Sequence, residues 1–126
     1  MTETDGMQQT ILTLKKGLIE KSEAYARATD DYLDLENRRV HEKIAAIKRI
    51  MEKPNDMTGK AHSFSSAEAI VNTDDTYMNY LDRIRRAQVD QLLARGQYET
   101  ERLTSAALLT ELSTRVRLTE ELLQTE

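Results

Sequence analysis

The side chains with chemistry to offer are carboxylates and two histidines, and their spacing separates sites from surface. Glu20-x-x-Glu23 and Asp31-x-x-Asp34 use the three-residue step that puts two carboxylates on one helix face, the arrangement of helical Mg2+ sites in nucleotide hydrolases. Such a site needs a second acidic pair from a facing helix, because a hard cation gathers several oxygens. If the chain folds back on itself, Asp31 and Asp34 come level with Gln91 and Arg95 rather than with acids, so we read them as partners of Arg95 and Arg102. Neither His41 nor His62 has the Glu-x-x-His or His-x-x-x-His spacing of a helical metal site, and His41 and Glu42 diverge onto different faces. With no Cys there is no thiolate ligand or nucleophile, and the four glycines are too scattered to cradle a phosphate. No His-centred triad can be drawn. The expectation is therefore a non-enzyme with no catalytic residue, metal or cofactor, and a Mg2+-dependent nucleotide hydrolase is the least supported class.

The elements that would position these residues are long helices. Charged residues make up 32% of the 126-residue chain and aromatics 5%, with one Phe, one Pro and no Trp. Leu, Ala, Glu, Arg and Lys dominate, as they do in long, partly exposed helices, where straight-chain residues lose little rotamer freedom. Residues 1–9 are predicted to fray. Helix 1 then occupies 10–53, with Ile11, Leu14, Leu18, Tyr25, Ala28, Tyr32 and Leu35 on one side and a drift onto Val40, Ile44, Ile47 and Met51. Gly17, inside this pattern, marks either the true start of the helix or a close contact. Pro54 ends the helix, and 54–73 is a connector in which Thr58-Gly59-Lys60 reads as a turn. Ser65-Ser66-Ala67-Glu68 fits a capping box, predicting a short helix at 66–71. Thr73 or Asp74 caps helix 2, residues 74–124, whose stripe includes Tyr77, Leu81, Ile84, Val89, Leu92, Tyr98, Leu103, Leu112 and Val116.

Helices of this length cannot bury their stripes alone. The predicted fold is all-α and single-domain: two long antiparallel helices forming a hairpin or coiled coil, dimerising into a four-helix assembly. The alternative is exchange of one long helix between protomers. The hairpin register brings Glu36, Asn37, Arg38 and Arg39 level with Gln88, Gln91, Arg95 and Glu99, a polar layer that would penalise slipped alignments. It also gathers Lys48, Arg49, Lys53, Lys60, His62, Ser65, Arg83, Arg85 and Arg86 at the connector end, a candidate phosphate-contacting tip. Acidic Glu111, Glu120, Glu121 and Glu126 gather at the other end. No apolar run approaches membrane-spanning length and no signal-peptide pattern opens the chain, so a soluble, cytoplasmic protein is expected.

Ser66-Ala67-Glu68, Asp75-Thr76-Tyr77, Tyr80-Leu81, Ala87 and the basic-aromatic run Leu93–Leu103 resemble a family of small, mostly uncharacterised all-helical proteins of tailed bacteriophages and prophages. The resemblance covers roughly residues 30–110 and departs from the family near Arg102-Leu103, where an aromatic is common. It implies a setting near phage recombination or replication genes, in a bacterial host cytoplasm, and no catalytic residues. The function expected is an accessory protein acting through protein contacts in recombination, replication or host takeover. The second expectation is a nucleic-acid-binding accessory protein that uses the basic tip.

Overall fold

A computed structural model describes residues 3–54 and 59–125; Met1, Thr2, Thr58 and Glu126, which enter the expectations above, lie outside the described residues. The chain is all-α, with no strand among the described residues. Its elements are α1 (Glu3–Asn37), α2 (Arg39–Met51), α3 (Phe64–Ala69), a 3-10 turn (Val71–Thr73) and α4 (Asp75–Gln124). An isolated antiparallel bridge joins Pro54 to Ala61, closing a turn in which Gly59 supplies a φ of 66° that other residues rarely adopt.

Three boundaries depart from the sequence reading. Residues 3–9 are helical rather than frayed: a single Gly6 does not break a helix, and the Thr10 and Thr13 hydroxyls donate to the Gly6 and Gln9 carbonyls, both at 3.0 Å. The first helix is interrupted at Arg38, where the Leu35 carbonyl accepts the Arg38 N–H at 3.2 Å and the Tyr80 hydroxyl as well. A side chain entering the ladder of a helix is a recognised cause of a bend. The short helix occupies Phe64–Ala69, not 66–71, and its cap is Ser63, whose Oγ accepts the Ser66 N–H at 3.2 Å. The Ser65–Glu68 capping box does not form. Starting at Ser63 buries Ala67 completely and turns Glu68 outward to Lys43, 3.4 Å away.

Contacts divide the chain into two compact units, one formed by the chain up to Arg27 and from Leu92 onward, the other by Ala28–Gln91. The Ala28–Gln91 unit has a core. Ala46, Ile47 and Ile50 of α2, Ala67 of α3, Val71 and Tyr77 form one buried cluster, and Leu35, Tyr80 and Ile84 a second. After the break at Arg38 the helix buries Ala46, Ile47 and Ile50, so the predicted drift holds in part: Ile47 is buried and Met51 packs against the cluster, whereas Val40 and Ile44 are 66% and 39% exposed. In the other unit α1 and α4 meet directly. Tyr25 and Tyr98 lie 6.2 Å apart ring to ring, and a Cβ on Gly17 would fall 2.5 Å from a Glu101 carboxylate oxygen, so Gly17 marks a close contact inside the helix. Among its described residues this unit buries no apolar side chain. Only Ser105 is buried, and its hydroxyl has no hydrogen-bond partner.

Candidate interaction surface

The residues singled out by sequence separate into those spent on the fold and those left outside it. Arg49 is spent on the fold. Its Nε and Nη2 donate to the two carboxylate oxygens of Asp74 at 3.0 and 2.9 Å, and Asp74 Oδ1 also accepts the Tyr77 N–H at 2.8 Å, capping α4. The Arg49 guanidinium, helped by that backbone N–H, holds the Asp74 carboxyl below the usual carboxylate range, while Asp74 raises Arg49 in turn. His62 is half-buried with Nδ1 2.9 Å from Ser66 Oγ, and Ser65 is an exposed residue within α3 rather than its cap. Arg85 reaches Asp82 one turn away at 3.2 Å. Lys48, Lys53, Lys60, Arg83 and Arg86 are exposed. The predicted basic tip is thus diluted, with Arg49 and His62 committed to internal bonds and Lys43 paired with Glu68.

The predicted polar layer is not level. Tyr80, not Gln88 or Gln91, lies beside Leu35 and the break, and Gln91 donates to Thr29 Oγ1 at 3.2 Å. Glu36 accepts from Arg39 at 3.2 Å, and the Tyr77 hydroxyl, then Glu36, keep Arg39 more firmly protonated than usual. Asn37 and Gln88 are exposed, and Arg95 pairs with Glu99 on its own helix at 3.3 Å. Buried Tyr77 and Tyr80 set the alignment here, because large rings with a polar end must satisfy both packing and a hydrogen bond. Asp31 and Asp34 are exposed and do not pair with Arg95 or Arg102. Among the described residues no group of three or more His, Asp or Glu could hold a metal ion.

The structure also leaves many apolar side chains uncovered. The stripe read along the second helix mixes two opposite faces of α4. Tyr77, Ile84, Tyr98 and Leu112 turn inward, while Val89, Leu92 and Leu103 point the other way and are 53%, 56% and 65% exposed. On the earlier helices a second line, of which the sequence reading picked out only Val40, sets Leu12, Ile19, Ala26, Leu33 and Val40 seven residues apart, and all are exposed. The seven-residue repeat was its signal, legible without any structure. Shallow grooves accompany these lines. One of about 430 Å³ is lined by Met7, Ile11, Leu109, Leu112 and Val116 together with Ser113, Arg117 and Glu120, and one of about 250 Å³ by Leu18, Ile19, Ser22, Glu23 and Tyr98. Glu23 shares the smaller groove with Ser22 and Tyr98, not with a second carboxylate pair.

Comparison with protein families, with curated proteins and with solved structures returns no match. Among the described residues no helix is long and apolar enough to cross a membrane.

Proposed function

We propose that the chain is a non-enzymatic interaction module: an antiparallel helical hairpin that works as a homodimer and acts through protein contacts. One observation carries this reading, the uneven burial of apolar surface. Every buried apolar side chain among the described residues belongs to Ala28–Gln91, whereas the other unit exposes eleven large apolar side chains, from Leu108 at 36% to Leu122 at 69%. Contiguous apolar surface beyond a few hundred Å² is uncommon on a soluble monomer and marks a contact site. Pairs such as Tyr25–Tyr98, Thr29–Gln91 and Leu35–Tyr80, in which later residues of α1 meet earlier residues of α4, support the antiparallel hairpin.

The setting we propose is that of phage accessory proteins of recombination, replication or host takeover, in the bacterial cytoplasm, on the strength of the likeness between residues 30–110 and that family. Size-exclusion chromatography with light scattering tests the core of the proposal. A dimer of the 14.5 kDa chain is expected at micromolar concentration, and a monomer there would sink it.

A nucleic-acid-binding role is the weaker reading, supported by exposed Lys48, Lys53, Arg83 and Arg86. It requires binding that falls steeply with salt and drops in Arg85→Glu with Arg86→Glu. Salt-independent behaviour and normal binding by both variants would dismiss it.

A further inference from the structure

Resting on the dimeric reading above, we infer that the partner is a second copy of the same chain, that its α4 crosses this α4 at Gly96, and that the two helices run antiparallel there. Gly96 sits within a 50-residue helix, where glycine costs about 1 kcal/mol relative to alanine. Nothing in the single chain accounts for that cost, since a Cβ at Gly96 would meet no atom within 4 Å. Gly17 is different: there the absent Cβ makes room for Glu101. At Gly96 the room faces outward, with Leu92 and Leu93 one turn before it and Leu103 two turns after it.

Adjacent Leu92 and Leu93, followed by Gly96, Thr100, Leu103 and Ala107 at steps of three and four, occupy one face of α4, turned away from the face that holds Tyr98 and Ser105. All six are exposed, with Leu92, Leu93 and Leu103 at 56%, 61% and 65%. Gly96 and Thr100, one turn apart, form a low point between higher leucines, the shape that lets two helix backbones approach closely. The α1 side of the same unit offers less: Leu12, Ile19 and Ala26 supply one apolar residue every two turns, separated by Lys15, Lys16, Ser22 and Glu23.

Charge decides in favour of a second copy and of the antiparallel sense. Arg95 and Glu99 flank the stripe four residues apart and touch each other at 3.3 Å on the exposed surface. A two-fold axis next to Gly96, between it and Tyr98, sets Arg95 of each copy opposite Glu99 of the other, so two cross-chain pairs replace two weak pairs within single helices. A parallel crossing about a two-fold axis would carry Arg95 and Glu99 of the two copies to opposite edges of the seam, where these pairs cannot form. The patch is therefore complementary to itself in one orientation only.

Sedimentation equilibrium on the full-length chain tests this, with far-UV circular dichroism to follow helix content. Gly96→Leu, a better helix former than glycine, is expected to retain helicity and to raise the dimer dissociation constant tenfold or more. Arg95→Glu and Glu99→Arg are each expected to raise it three- to tenfold, and the double exchange to restore it to within about twofold of the parent. Leu12→Glu with Ile19→Glu is expected to leave it unchanged. A dimeric parent whose dissociation constant is unmoved by Gly96→Leu, or not restored by the double exchange, overturns the crossing and leaves the dimeric reading intact. A monomeric parent overturns both.

Discussion

Asp74 joins two functions in one carboxylate, and they can be separated by substitution. Its side chain is 10% exposed and closes α4 by accepting the Tyr77 N–H while gripping Arg49, itself 38% exposed. Asp74→Asn keeps an N-cap and gives up the ion pair; Asp74→Ala gives up both. Caps of this type contribute about 1 kcal/mol, whereas Arg49, once released, recovers much of its hydration. Denaturant unfolding should therefore show Asp74→Ala less stable than the parent by about 1–2 kcal/mol, with Asn losing less than half of that. Because the folded carboxyl titrates below its unfolded value, its contribution is complete above about pH 4 and is lost as pH falls through the folded value. The acid limb of a stability–pH curve should accordingly be shallower in Asp74→Asn than in the parent. Ser105 offers the opposite case, a buried hydroxyl with no partner among the described residues. Ser105→Ala removes that cost and improves helix propensity, so thermal melts should rise, corresponding to about 1 kcal/mol of added stability. A fall in melting temperature would mean that the hydroxyl is satisfied in solution.

The break between α1 and α2 shows how one side chain reshapes an element. The step from Leu35 to Val40 is five, across the polar run Glu36–Arg39, but no Pro or Gly stands there, so no local breaker ends the helix. Tyr80, forty-five residues away, does so by donating to the Leu35 carbonyl and packing against Leu35 and Ile84. Tyr80→Phe keeps the ring and loses the donor. Since Leu35 still receives the Arg38 N–H, the expected loss is about 1 kcal/mol, read from chemical unfolding. Burial pushes the Tyr80 hydroxyl above its ordinary value, so its contribution is full below about pH 10 and is lost as pH rises through the folded value. The difference between parent and Tyr80→Phe should therefore narrow in strong alkali. In α3 the competition between Ser63 and Ser65 is settled the same way, by packing: only the Ser63 start places Ala67 against α2 and leaves Glu68 free to meet Lys43.

Across the chain, burial is concentrated in Ala28–Gln91. Amides in that unit should exchange hydrogen more slowly than those of residues 5–20 and 110–124, because slow exchange follows buried apolar contacts. Dimerisation through the Gly96 face adds a concentration term: raising protein concentration should slow exchange in residues 92–107 of α4. A melting temperature independent of concentration would argue that unit's exposed leucines away from self-association.

Helix content, the stop near Pro54, the turn at Gly59 and the cap at Asp74 are all legible in the sequence, because each depends on φ, ψ and hydrogen bonds within a few residues. What only tertiary structure decided was which apolar residues are covered. A 3.6-residue period marks a residue as facing one side or another, and α4 is apolar on two opposite sides, so Tyr98 and Leu103 look alike until α1 is in place. Alignment escaped for a related reason: Glu36, Asn37 and Gln91 suggested a polar layer, but the bulk and hydroxyls of Tyr77 and Tyr80 fix which residues meet. Local chemistry wrote the helices; the packing of large side chains, a non-local competition, chose their faces, the bend at Arg38 and the surface left open around Gly96.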